Sequence, residues 1–122
     1  MIGYVTLGTR DLARAAAFYD ALLAEIGAQR TMQGERFVAW GTSPTAPGLG
    51  LLYPYDGQPA SVGNGTMVAL VVDSPEKVQR VHATAIALGG LDEGAPGPRG
   101  DGFYAGYFRD LDGNKLNVFV AG

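Results

Sequence analysis

Cysteine is absent from the 122 residues, and histidine occurs once, at position 82. The first absence excludes disulfides, thiolate metal sites and cysteine nucleophiles. It also fits a reducing compartment. No run of lysine or arginine occurs and the formal net charge is −3, so a nucleic-acid partner is not expected. No apolar stretch approaches the roughly 20 residues of a membrane span, and the N-terminus lacks a signal-peptide layout. These absences lead to the expectation of a cytoplasmic globular protein with no membrane partner. Ser-His-Asp order, P-loop and dinucleotide fingerprint are also missing. What remains is a 47% hydrophobic chain, enough for the core of one domain, and a high count of turn formers, Gly 19 and Pro 7.

The strand and helix signals occur twice. The stretch from Tyr4 to Thr9 alternates like a strand, Asp11 stands as an N-cap, and Leu12, Ala15, Tyr19, Leu22, Leu23 and Ile26 follow at helical spacing before Gly27. Met67 to Val72 reads as a second strand, with Ser74-Pro75 as cap and first helical position, then Val78, Val81, Ala85 and Leu88 before Gly89-Gly90. A shift of sixty-three residues superimposes these pieces, and a shift of sixty-six places Leu49–Tyr53 on Lys115–Phe119. Each half therefore reads strand, helix and about three strands. The expected class is α+β, two βαβββ modules at about 1–58 and 65–122 within one domain. The glycine- and proline-rich segment Gly89–Gly102 reads as a long connection and a candidate lid.

A five-residue turn at Asp110–Asn114 predicts that Tyr107 pairs with Asn117 and Phe108 with Leu116. Alternation then puts Phe103, Ala105, Tyr107, Arg109, Lys115, Asn117 and Phe119 on one mixed face. The repeat adds Tyr4, Thr6, Leu51, Tyr53, Met67 and Ala69 to it. Val5, Leu7, Trp40, Leu52, Val68 and Leu70 fall on the helix-packed face. A mixed face of this kind suits a ligand surface.

The segments "GYVTLGTRDLARAAAFYDALLAEIG", "DGQPASVGNGTMVALVV" and "YFRDLDGNKLNVFV" resemble the vicinal oxygen chelate superfamily, which includes glyoxalase I, extradiol dioxygenases, fosfomycin-resistance enzymes and bleomycin-resistance proteins. The resemblance covers essentially the whole chain. It implies sheets curled into an incomplete barrel around a cleft, and a homodimer as the usual assembly. It also implies a divalent ion held by His, Glu or Gln side chains, whose positions here are Tyr4, Leu51, Met67 and Asn117. Leu51 has no donor atom, Met67 offers a soft thioether, Tyr4 a phenol and Asn117 a neutral carbonyl oxygen. The expectation is therefore no cofactor, with a divalent metal as the alternative. His82 falls on the second helix at the place of Tyr19, a structural position.

The expected function is binding of a small molecule in the cleft by Tyr4, Thr6, Tyr53, Met67, Tyr107 and Asn117, with Arg99 near the cleft mouth. In phosphonate-processing relatives a tyrosine at the place of Tyr107 touches substrate. Arg109 and Lys115 flank the turn and read as solvated. Two alternatives stay open: a metal-dependent lyase, transferase or dioxygenase with unusual ligands, and a drug-sequestering resistance protein.

Overall fold

A computed structural model describes residues 1–122. The chain divides into two compact units, Met1–Val62 and Gly63–Gly122, and each is a βαβββ module. The protein is thus α+β, with two separate four-stranded mixed sheets.

In the first unit, β1 (Tyr4–Gly8) is followed by α1 (Leu12–Ala24), β2 (Gln29–Gln33), β3 (Phe37–Gly41) and β4 (Gly48–Leu52). Asp11 caps α1 as its residue type predicts, accepting the Arg14 N–H at 3.1 Å. Gly27, at φ 80°, supplies the left-handed turn after the helix. The sheet runs β1-β4-β3-β2, with β1 parallel to β4 and the other pairs antiparallel. Helix α1 buries Leu12, Ala15, Phe18, Tyr19, Leu22 and Leu23, and the Tyr19 and Trp40 rings lie 5.7 Å apart. Burying each large apolar side chain contributes about 1.5–3 kcal/mol. Asp20 ties the layer together, accepting Arg30 Nε and Nη2 at 2.9 and 2.8 Å and Trp40 Nε1 at 2.9 Å. The Arg30 guanidinium, helped by the Trp40 N–H, holds the Asp20 carboxyl below its ordinary value of 3.8 against the opposing effect of partial burial.

In the second unit, β5 (Val68–Val71) leads to α2 (Pro75–Ala87), β6 (Leu91–Pro98), β7 (Phe103–Arg109) and β8 (Lys115–Ala121). The order β5-β8-β7-β6 repeats that of the first sheet, again with one parallel pair, β5 and β8. Ser74 caps α2 by accepting the Lys77 N–H at 3.2 Å. Val78, Val81 and Ala85 are fully buried, as are Phe108, Leu116 and Val118 of the sheet. Leu88, expected in the stripe, is instead exposed, because it is the C-cap where the helix turns away. His82 is buried on the sheet side of α2, its Nε2 lying 3.0 Å from Asp92 Oδ1 and 3.2 Å from the Tyr107 carbonyl. Both partners only accept, so Nε2 carries the proton. Gly106 makes room for this ring, since a Cβ there would stand 3.1 Å from His82 Cδ2.

Two sequence expectations are corrected. The segment expected as a connection between Gly89 and Gly102 contains a strand, β6, paired with β7 over eight residues. It is an edge strand with register shifts at Asp92/Gly94 and Gly94/Gly97. Proline and glycine are tolerated at such edges and bulges, which is why their presence hid it. The second correction is a one-residue slip in β4. Thr6 pairs with Gly50 as Ala69 pairs with Asn117, so the repeat holds at a shift of sixty-seven and Gly50 stands at the place of Asn117. Leu51 shares register with Leu7 and Val38 on the helix-packed face and is 0% exposed. Leu52, expected inside, takes the opposite face, since one step of register exchanges the faces of a strand.

Candidate functional site

The terminal hairpin sets the geometry of the second sheet. Asp110 Oδ1 accepts the backbone N–H groups of Asp112 and Asn114, each at 2.9 Å, and Oδ2 accepts Asn114 Nδ2 at 2.9 Å. Gly113 takes φ 91°. The D-x-D-G-N motif is therefore a turn held by hydrogen bonds of its own side chains to its own backbone. Its closure fixes the predicted register, Tyr107 with Asn117 and Phe108 with Leu116.

Helix α2 covers one face of this sheet. The other face carries Ala69, Phe103, Ala105, Tyr107, Lys115, Asn117 and Phe119, by pairing register and alternation. Phe103 and Phe119 stack with centroids 5.2 Å apart. Asn117 is only 2% exposed, and its Oδ1 is buried with no hydrogen-bond partner. An unpartnered buried acceptor costs about 1–3 kcal/mol, so this atom calls for an explanation. Beside it, the Tyr107 ring receives two cations, Arg99 Cζ and Lys115 Nζ, each 5.6 Å from its centroid. Arg99 is held by the carbonyls of Ala95 and Pro98 at 2.6 and 3.3 Å. Neither Arg99 nor Lys115 forms an ion pair, whereas neighbouring Arg109 pairs with Glu93.

Arg99, Tyr107 and Asn117, all singled out from the sequence, thus come together in the second unit. Met67 stands immediately before β5 on the same alternation, half exposed at 41%. Lys115 also belongs to this face, as its two-residue spacing from Asn117 requires, and its ammonium lies over the Tyr107 ring rather than only in solvent beside the turn.

In the first unit, Tyr4 and Thr6 lie on the open face over a floor of glycine, since a Cβ at Gly48 would meet Tyr4 Cβ at 3.7 Å and one at Gly50 would meet Thr6 Cγ2 at 3.5 Å. Tyr53 does not join them. Its hydroxyl accepts the Leu12 N–H at 3.1 Å at the start of α1, because it follows Leu51 at a spacing of two and turns to the helix side. There it lines a separate recess of about 510 Å³ with Arg10, Arg36 and Gln58.

The donor set does not fit the divalent ion that the resemblance implies. The β4 position is Gly50, with no side chain, and Leu51 beside it has no donor atom. Tyr4, Met67 and Asn117 supply a phenol, a thioether and a neutral amide, none of them the carboxylate or imidazole that such ions favour. No group of three or more His, Cys, Asp or Glu residues in the chain could hold a metal ion.

Two βαβββ modules in one chain, each with a helix on one sheet face and a mixed residue set on the other, define the fold class of the protein. A family model for the Glyoxalase/Bleomycin resistance protein/Dioxygenase superfamily matches residues 1–118. The crystal structure of a glyoxalase/bleomycin resistance protein from Albidiferax ferrireducens T118 is similar at 37% identity and a TM-score of 0.92, with 100% of this chain and 99% of that one covered. A glyoxalase/bleomycin resistance protein/dioxygenase family enzyme from Burkholderia phytofirmans PsJN shares the fold, at 21% identity, TM-score 0.79 and 98% coverage of each chain. No curated protein matches the chain. The chain belongs to the glyoxalase/bleomycin resistance protein/dioxygenase superfamily.

Proposed function

We propose that this superfamily member binds a small molecule on an open sheet face, with Met67, Tyr107 and Asn117 and Arg99 alongside on that of the second unit and Tyr4 and Thr6 on the corresponding face of the first, and that it works without the divalent ion the resemblance implies. The observation that carries this reading is Asn117. A buried amide with an unpartnered oxygen is unfavourable in the free fold, and a bound ligand with an N–H or O–H would satisfy it. A metal-dependent lyase, transferase or dioxygenase would need ligands at Gly50 and Met67 that these residues do not supply. Sequestration of a cationic drug is disfavoured by the uncompensated charges of Arg99 and Lys115.

Self-association as a homodimer is part of the proposal, supported by exposed apolar residues on the open faces, Tyr4 at 75% and Val71 at 68%. A cytoplasmic location is also proposed, on the absence of cysteine. No helix is long and apolar enough to cross a membrane.

Elemental analysis of protein purified without chelators tests the metal-free reading. The expected result is metal well below one equivalent per chain, with ligand-induced shifts in Tm unchanged by EDTA. One equivalent of tightly held metal, lost in Asn117→Ala, would overturn it.

A further inference from the structure

We propose that the recess at the start of α1, on the helix side of the first sheet, is a second binding site and takes a small organic anion. A phosphate or carboxylate head docks at Arg10 and Arg36 and accepts the Tyr53 hydroxyl proton, while an apolar body lies against Pro54, Pro59 and Ala60. The recess is separate from the open sheet faces, so the inference goes beyond the function proposed above and does not rest on it.

Four observations support it. First, the recess has about 510 Å³, a size suited to a small molecule. Thr9, Arg36 and Tyr53 continue the alternation of Leu7, Val38 and Leu51, so they fall on the side of the sheet that faces α1. Second, its walls are preorganised. The Pro54 carbonyl accepts the Gly57 N–H at 3.1 Å and Arg36 Nη2 at 2.9 Å, and the Arg36 guanidinium lies 5.7 Å from the centre of the Tyr53 ring. Gly8 lets the far wall close in, since a Cβ there would stand 3.0 Å from Ala60 Cβ. Third, donors remain unused. Arg36 forms no ion pair, which leaves Nε and Nη1 for an oxyanion. The Tyr53 hydroxyl already accepts the Leu12 N–H at 3.1 Å, and no acceptor in the chain takes its own proton. No carboxylate lines the recess, and the start of α1 adds partial charge of the same positive sign. Fourth, the second module supplies a comparison. Trp40 pairs with Leu49 as Phe108 pairs with Leu116, which puts Tyr104 at the place of Arg36. The other registers put Asp73 at the place of Arg10 and Val120 at that of Tyr53. Asp73, Tyr104 and Val120 line a recess of about 430 Å³. The hollow is thus a product of the βαβββ module, whereas its two arginines are not, because the second module folds with an acid and a tyrosine in their places. The positive chemistry of the first recess is free to serve a ligand, and that ligand is an anion.

The test is an NMR titration of the intact protein at neutral pH and low salt with four probes. Phenyl phosphate and benzoate carry anion and body, inorganic phosphate the anion alone, and benzyl alcohol the body alone. The expected result is that phenyl phosphate and benzoate bind saturably and shift the Arg10, Arg36, Tyr53 and Gln58 resonances, while Asp73, Tyr104 and Val120 do not respond. The tighter of the two identifies the head group as phosphate or carboxylate. Inorganic phosphate and benzyl alcohol bind more weakly by about tenfold or more. Arg10→Gln and Arg36→Gln, both at exposed side chains, each weaken the organic anions by about tenfold, the usual loss for a hydrogen bond to a charged group. Tyr53→Phe keeps the ring and weakens them severalfold. Circular dichroism checks that each variant is folded. Benzyl alcohol binding as tightly as benzoate would overturn the anion, and inorganic phosphate binding as tightly as phenyl phosphate would overturn the apolar body. No saturable binding of either organic anion, equal shifts at both recesses, or binding insensitive to both Gln variants would overturn the site. Shifts confined to an open sheet face would overturn it as well and leave the proposed function standing.

Discussion

Asn117 is the residue at which fold and function pull in opposite directions. It lies on a central strand, between Ala69 and Tyr107, where a β-branched apolar residue would pack without cost. Asn117→Val should therefore raise stability by about 1 kcal/mol, since it removes an unsatisfied buried acceptor. For a chain of this size that is a Tm increase of roughly 2–8 °C, read by calorimetry. A lower Tm would mean that the amide has a partner in the free protein. Asp20 shows the opposite case, a polar residue whose bonds are all met within the fold. Its folded-state pKa lies below the unfolded value, so ionised Asp20 stabilises the fold at every pH above about 3.8, and the effect is lost as pH falls through the lower folded value. The stability difference between the parent and Asp20→Asn is expected to stay constant from neutral pH towards 3.8 and to shrink below it. Its side chain is 44% exposed, so solvent keeps the effect modest. Paired urea titrations at pH 7 and at pH 3 would check this, and a difference that grows in acid would contradict it.

Elements that rest on local chemistry were legible in the sequence. Asp11 and Ser74 cap because their side chains reach a backbone N–H three residues on, and the hairpin register follows from Asp110–Asn114 alone. Where structure depends on a neighbouring strand, legibility fell. "LDEGAPGP" has no strand propensity, and β7 with its bulges holds it as β6. "GLGLL" offers leucine on both faces, so periodicity could not choose its register; pairing to β1 did, and moved Gly50 rather than Leu51 to the place of Asn117. The site was half legible for the same reason. Tyr107 and Asn117 lie on the hairpin, but the fold of Arg99 onto Tyr107 depends on the strand that was missed. The hairpin carries its own prediction. Gly113 at φ 91° is in a region that β-branched residues avoid. Gly113→Val should destabilise by about 1 kcal/mol or more, and an unchanged Tm would show that the turn can re-form elsewhere.

At the scale of the molecule, each module has one helix for a sheet with two faces. Helix α1 covers Leu49, Leu51, Val38 and Trp40, and α2 covers Phe108, Leu116 and Val118. The opposite faces keep apolar side chains in solvent, among them Met32 at 61% and Val71 at 68%. An apolar sheet face is stable when another layer lies on it, and a repeated module supplies a complementary layer in a second copy of the chain. A closed symmetric dimer satisfies every copy equally, whereas an open arrangement would propagate. The expected outcome is a homodimer at micromolar concentration by light scattering. Val71→Glu places a charge on the open face of β5, opposite Phe119 in the ladder, and a buried unpaired carboxylate is strongly unfavourable. It should shift the population towards monomer without loss of helix signal in circular dichroism, because the α2 core lies on the other side of the sheet. A parent that is monomeric at these concentrations would remove the dimer from the proposal. A dimer indifferent to Val71→Glu would leave that face free in the assembly and move the interface to another surface.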